Sequence, residues 1–178
     1  MSRIVIYGGS FDPLHNGHKA IISELHNKFD EVYVVPAKYK DNMMFSDSAR
    51  VSFIMEFISK CFHVSRKIHL ICDELEDLTG ELSKTLNLVK HIKNKYLRDG
   101  DEIYLCIGWD QYENLKNWYS YEELLKIVKL VVVNRSDMKF ENLYSDLNEN
   151  VMNLEIHGYE DLSSTNIRNQ IHDYVILN

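Results

Sequence analysis

Proline and glycine are scarce in this sequence, with two and seven of its 178 residues respectively. That leaves no room for a low-complexity tract or a Pro/Gly linker, and no internal repeat is visible. Long hydrophobic runs are also missing. The first apolar stretch, Arg3 to Tyr7, is too short for a signal peptide or a membrane span, and no later run is long enough either. A soluble, cytoplasmic protein without membrane partners is the expectation. The three cysteines, Cys61, Cys72 and Cys106, are odd in number, far apart and set among apolar neighbours. They exclude a disulfide framework and a CxxC metal knuckle, and they read as buried thiols. A basic excess is lacking too: the formal net charge is -7. That argues against a general nucleic-acid binder.

What is present is an ordinary globular composition, 45% hydrophobic and 26% charged, with length for one domain spanning 1–178. The charge is uneven, since five of the eight histidines lie before residue 70, where lysine and arginine outnumber the carboxylates. A local anion site near the N-terminus is therefore compatible with an acidic whole.

Along the chain two periods alternate. Arg3–Tyr7, Glu31–Val35, Ile68–Cys72, Glu102–Ile107, Leu130–Val133 and Val151–His157 are short β-branched or aromatic runs that predict strands. Between them, apolar residues recur at helical spacing from Gly17 to Phe29, from Ser46 to Ile58, from Leu86 to Tyr96, from Tyr121 to Val128 and from Thr165 to Tyr174. Alternation of this kind predicts right-handed crossovers and an α/β, Rossmann-like, doubly wound sheet that is mainly parallel. Ligands of such sheets sit beyond the carboxyl ends of the strands, so the segments that leave strands are the ones to inspect.

The first of these reads Gly8-Gly9-Ser10-Phe11-Asp12-Pro13-Leu14-His15-Asn16-Gly17-His18. Two glycines allow a ligand close to the backbone, and phosphates need backbone N–H groups. His15 and His18 are three apart at a helix entrance, so both face one point where the helix dipole favours an anion. A metal is the alternative use of such a pair, but no third ligand falls at a suitable spacing. Near the other end, Ser163-Ser164-Thr165 precedes a helix that carries Arg168 one turn on. That is a second phosphate-binding pattern, or an ordinary N-cap with an exposed arginine.

The GGSFDPLHNGH segment resembles the N-terminal signature of the HxGH nucleotidyltransferase superfamily, in the form carried by bacterial nicotinate/nicotinamide-nucleotide adenylyltransferases. Leu162–Arg168 is similar to that family's ISSTxIR signature, and Gly108-Trp109-Asp110 with Trp118 to its GxD…W segment. The resemblance implies transfer of AMP from ATP to a pyridine mononucleotide in NAD biosynthesis, with Mg²⁺ bound mainly through the ATP phosphates and no protein metal site. It implies His15, His18 and Arg168 as catalytic residues. On the ATP side it adds Gly8, Gly9, Ser10, Phe11, Asp110, Arg135, Ser163, Ser164 and Thr165. On the acceptor side it implies Ser10, Lys38, Lys40, Thr85 and Trp118, the last stacking on the pyridine ring.

The resemblance covers nearly the whole chain with local departures. Pro36–Ser46 lacks the usual proline-histidine-lysine cluster, and its lysine, Phe45-Ser46 and Arg50 look more like phosphopantetheine adenylyltransferase. Lys84 stands where an acidic residue is common, and Trp109 replaces a small residue. Ten residues follow Arg168, fewer than in many relatives. A phosphopantetheine adenylyltransferase and a non-catalytic nucleotide-binding regulator are the alternatives. The ring form of the acceptor and the oligomeric state, a homo-oligomer included, stay open.

Overall fold

A computed structural model describes residues 1–38, 43–72, 84–135, 150–158, 163 and 165–170. Among these, β1 (Arg3–Gly9) leads to α1 (Asn16–Lys28), β2 (Glu31–Pro36), α2 (Asp47–Phe62) and β3 (Ile68–Leu70). The second half contains α3 (Thr85–Tyr96), β4 (Glu102–Gly108), α4 (Trp109–Glu113), α5 (Tyr121–Leu125), β5 (Lys129–Arg135) and β6 (Val151–Ile156). A last helix, α6, covers 165–170. The six strands form one sheet in the order β3-β2-β1-β4-β5-β6, and every pairing is parallel. The sheet is thus wholly parallel, as a doubly wound Rossmann-like fold requires.

Side-chain alternation on the strands builds two cores. Ile4 and Ile6 of β1 join Leu86, Val89 and Ile92 of α3 and Leu124 of α5 on one face. Val5 and Tyr7 join Ile22 and Leu25 of α1 and Ile54 of α2 on the other. Each face of each central strand therefore removes β-branched or aromatic surface from water, at about 1.5–3 kcal/mol per fully buried large side chain. β1 is the switch point: the chain builds outward through β2 and β3 and then returns to lay β4 on the other side of β1. The carboxyl ends of β1 and β4 consequently face a crevice with no crossover helix above it.

Four details differ from the sequence reading. Gly8 and Gly9 are strand residues, paired with Val35 and Pro36, because β2 runs on to Pro36 and Ala37 N–H still donates to Gly9 O at 2.7 Å. The turn is Ser10–His15. A short helix, α4, and a 3-10 turn (Leu115–Asn117) follow β4, folding Tyr112 and Leu115 into the core. Helix α5 stops at Leu125 because Val128 is already buried under the sheet on the way into β5. Of the three thiols only Cys106 is buried; Cys72 is half-buried and Cys61 is exposed. Cys61 lies in the last turn of α2, whose inward face is taken by Phe57, Ile58 and Phe62. Among the described residues no helix is long and apolar enough to cross a membrane.

Candidate active site

At the end of β1 the backbone passes through Gly9 into a turn with Phe11 at φ 47. The Phe11 ring is wholly buried. It meets the rings of Tyr7 and His18 edge-on at 5.5 and 5.1 Å. Phe11 thus presents no surface to a ligand and acts on the site through its neighbours. A Cβ added at Gly9 would lie 3.1 Å from Phe11 Cζ, whereas one at Gly8 would meet nothing closer than Val35 O at 3.8 Å. Gly9→Ala should therefore cost about 1–3 kcal/mol, as an overpacked core does. Gly8→Ala should cost under about 1 kcal/mol, since small strand substitutions that meet no neighbour do little. Urea unfolding of the two variants checks this, and equal midpoints would refute the packing role of Gly9.

Helix α1 starts on the two histidines. His15 is the N-cap, its Nδ1 accepting the His18 N–H, while His18 Nδ1 accepts the His15 N–H, both at 3.4 Å. This is a reciprocal capping box with imidazoles in place of the usual hydroxyl and carboxyl or amide. The rings stack with centroids 3.7 Å apart. A ring whose Nδ1 accepts a backbone N–H carries its proton on Nε2. The two histidines are thereby fixed in one tautomer, leaving both Nε2–H groups as donors. Burial lowers the pKa of His15, and burial with repulsion from His15 pushes His18 down to about 3. Both rings are neutral donors at neutral pH.

A pH dependence of stability follows. Above the unfolded imidazole pKa of about 6.5 neither state takes up protons at these rings. Below it the unfolded chain binds protons that the folded pair refuses, so stability is lost as pH falls, for His18 down to about 3. One refused proton lowers stability by at most about 1.4 kcal/mol per pH unit. Between pH 7 and 5 the wild-type unfolding midpoint should fall more steeply than that of His18→Gln. Parallel slopes would show that the rings titrate normally.

Around this core the remaining predicted residues are distributed as follows. Arg168 comes from α6 to the β1 turn: its Nη1 donates to Asp12 O at 2.5 Å and lies 3.5 Å from Asp12 Oδ2, and its Nη2 donates to Thr165 Oγ1 at 3.1 Å. Ser163 caps α6, its Oγ accepting Asn166 N–H at 3.0 Å. Asp110 is exposed in the first turn of α4, at the β4 end of the crevice. A Cβ at Gly108 would stand 2.8 Å from Asp110 Oδ1, so glycine there leaves the carboxylate its position. Thr85 opens α3. Trp118 is half-buried, packed on the α3–α5 core just beyond the 3-10 turn. Lys38 is half-buried one residue past Ala37. Arg135 ends β5, opposite Ile156. Lys40 and Ser164 lie outside the described residues, as do 80–83 of the Thr85 segment.

Two residues with a part in this geometry stand in segments singled out in the sequence but were not among the predicted site residues. Asp12 is buried and its carboxylate accepts the N–H groups of Met44 and Phe45, each at 2.8 Å. Arg50, in the first turns of α2, is buried and donates from Nη1 to Ser10 O at 2.5 Å. A charged residue four beyond an N-cap serine looks like any helix surface charge, and nothing local marks it as buried. Among the described residues no three His, Cys, Asp or Glu side chains gather as a metal-binding group. The arrangement offers neutral N–H donors, a helix N-terminus and one guanidinium at a single crevice, the equipment for holding and stabilising polyphosphate.

Residues 6–170 match the model of the cytidylyltransferase-like family. The chain belongs to that family. Two relatives carry the name probable nicotinate-nucleotide adenylyltransferase. The protein of Aliarcobacter butzleri is 33% identical over 95% of this chain and 87% of its own. That of Sulfurimonas denitrificans is 32% identical over 96% and 86%. Among solved structures, Plasmodium falciparum nicotinic acid mononucleotide adenylyltransferase complexed with NaAD superposes with a TM-score of 0.73 at 21% identity, covering 95% of this chain and 83% of that one. The same enzyme complexed with APC gives 0.71 at 23%, with the same coverage. At that identity the superposition speaks to the fold alone.

Proposed function

We propose that this protein transfers the adenylyl group of ATP to nicotinate mononucleotide, forming the dinucleotide and pyrophosphate in NAD biosynthesis. The observation that carries the reading is the convergence of the His15–His18 pair and Arg168 on one turn at the switch point of the sheet. The names of the relatives supply the acceptor. The acceptor 5′-phosphate oxygen attacks the α-phosphorus of ATP, the α–β bridging bond breaks, and the electron pair leaves with pyrophosphate. Nothing on the protein is covalently modified. ATP enters as its magnesium complex, with the ion carried on the phosphates.

On this reading the Nε2–H groups of His15 and His18 donate to phosphate oxygens, and neutral rings are suited to that task. Arg168 supplies the fixed positive charge, assisted by the start of α6 with Ser163 and Thr165, to which the family resemblance adds Ser164. The backbone of Gly8, Gly9 and Ser10 lies along the nucleotide, with Asp110 at the nucleoside and Arg135 nearby. The family resemblance assigns Ser10, Lys38, Lys40, Thr85 and Trp118 to the acceptor, and Phe11 contributes by holding Gly9 and His18 in place. We take residues 1–178 as one such domain working in the cytoplasm.

Pyrophosphate release from ATP and Mg²⁺ tests this, with nicotinate mononucleotide, nicotinamide mononucleotide and phosphopantetheine offered separately. Release should be fastest with nicotinate mononucleotide. Release with phosphopantetheine alone would move the protein to coenzyme A synthesis, and ATP binding without release from any acceptor would leave a regulator.

A further inference from the structure

Among the described residues three polar side chains are fully buried, Asp12, Arg50 and Asn134. Two of them hold the same turn. Arg50 reaches it from α2 and donates from Nη1 to Ser10 O at 2.5 Å. Its Nη2 bonds Asp47, whose carboxylate is partly exposed, while its Nε has no hydrogen-bond partner. A guanidinium paired in this way is an expensive means of filling a core position, and an apolar side chain of similar length would fill it at lower cost.

The turn itself explains what the charge does. Phe11 sits at φ 47, a conformation that bulky residues rarely adopt and that persists only when its surroundings over-determine it. Here both flanks are fixed. Arg50 holds the carbonyl that precedes Phe11, and Met44 and Phe45 hold the carboxylate that follows it. The Phe11 ring is locked between Tyr7, Gly9 and His18.

We propose that Arg50 is a positioning residue for adenylyl transfer. From behind the crevice it fixes the Ser10 carbonyl, so that Gly9, Ser10, His15 and His18 keep one arrangement before the nucleotide arrives. This rests on the reading of the site as an ATP cradle. Arg50 touches no substrate and acts through the backbone of Ser10.

Arg50→Met and Arg50→Lys test it. Titration calorimetry with a non-hydrolysable ATP analogue, without acceptor, is followed by steady-state rates and thermal unfolding. Arg50→Met should fold with an unfolding temperature equal to or above that of the wild type. Its Kd for the analogue should rise and its kcat fall, together by about tenfold to a hundredfold in kcat/KM for ATP, the loss typical of a small misplacement of binding groups. KM for the mononucleotide should rise less than KM for ATP, because of the described acceptor-side residues Arg50 holds Ser10 and not Lys38, Thr85 or Trp118. Arg50→Lys, which keeps one donor for Ser10 O, should recover part of the loss. Wild-type analogue binding and kcat in Arg50→Met would overturn the proposal. So would loss of stability with unchanged activity per folded molecule, or failure of both variants to fold, since Arg50 would then serve the fold alone. If the wild type binds no ATP analogue, the cradle reading falls and the proposal with it.

Discussion

His15→Asn and His18→Gln should each turn over about a hundredfold to a thousandfold more slowly than the wild type, the usual cost of losing one donor to developing charge. Their folding should change little. The substitutions keep what the histidines do for the helix and remove what they present to the crevice. Asparagine is a strong N-cap, and glutamine at the third helical position is one of the side chains that completes a capping box. Neither places a donor where the imidazole Nε2–H stands. Alanine is the less informative choice, because it also removes the cap, at about 0.5–2 kcal/mol, and confounds unfolding with catalysis. Rates of pyrophosphate release at saturating substrates, measured beside thermal unfolding, separate the two roles. Full turnover in either variant would remove the histidine pair from the mechanism.

Arg168→Lys should lose nearly as much as Arg168→Gln, with kcat/KM for ATP falling by about a hundredfold in both, the scale expected when a charge clamp on transferring phosphate is lost. The reason lies in the fork. Arg168 uses one nitrogen on Asp12 and the other on Thr165, so its plane is set by two segments, and its remaining N–H donors keep a fixed direction. A lysine ammonium has the charge without the plane. Stability should drop by about 1–3 kcal/mol, the net worth of the hydrogen bonds to Asp12 and Thr165. The Asp12 carboxylate retains the Met44 and Phe45 N–H groups in either variant. Initial rates over a range of ATP concentrations at fixed acceptor measure the effect. A lysine variant with wild-type kcat/KM would mean that net charge alone matters at position 168.

These expectations separate what is local in the molecule from what is not. The strands and helices were legible because burial imposes a period of two or near 3.6 on the residues themselves, as Ile4–Ile6 against Val5–Tyr7 shows. The helix starts at His15, Ser46 and Ser163 were legible for a similar reason: a cap is built within four residues. Helix α4 was not, because its five residues are too few to show a period, and it is held by Tyr112 packing into the core.

The sequence by itself determined the alternation of strands and helices, hence a parallel doubly wound sheet, and the Gly-Gly/His and Ser-Ser-Thr/Arg segments near its ends. It determined also which residue types stand in those segments. The tertiary structure alone decided that Arg168 meets Asp12 across 156 positions, because strand order brings α6 over the end of β1. It alone decided that Arg50 is buried behind Ser10, that Gly8 and Gly9 belong to the strand, and that both imidazoles keep their protons on Nε2. Each of these depends on partners distant in the chain or on the direction of a hydrogen bond, and neither leaves a periodic trace in sequence.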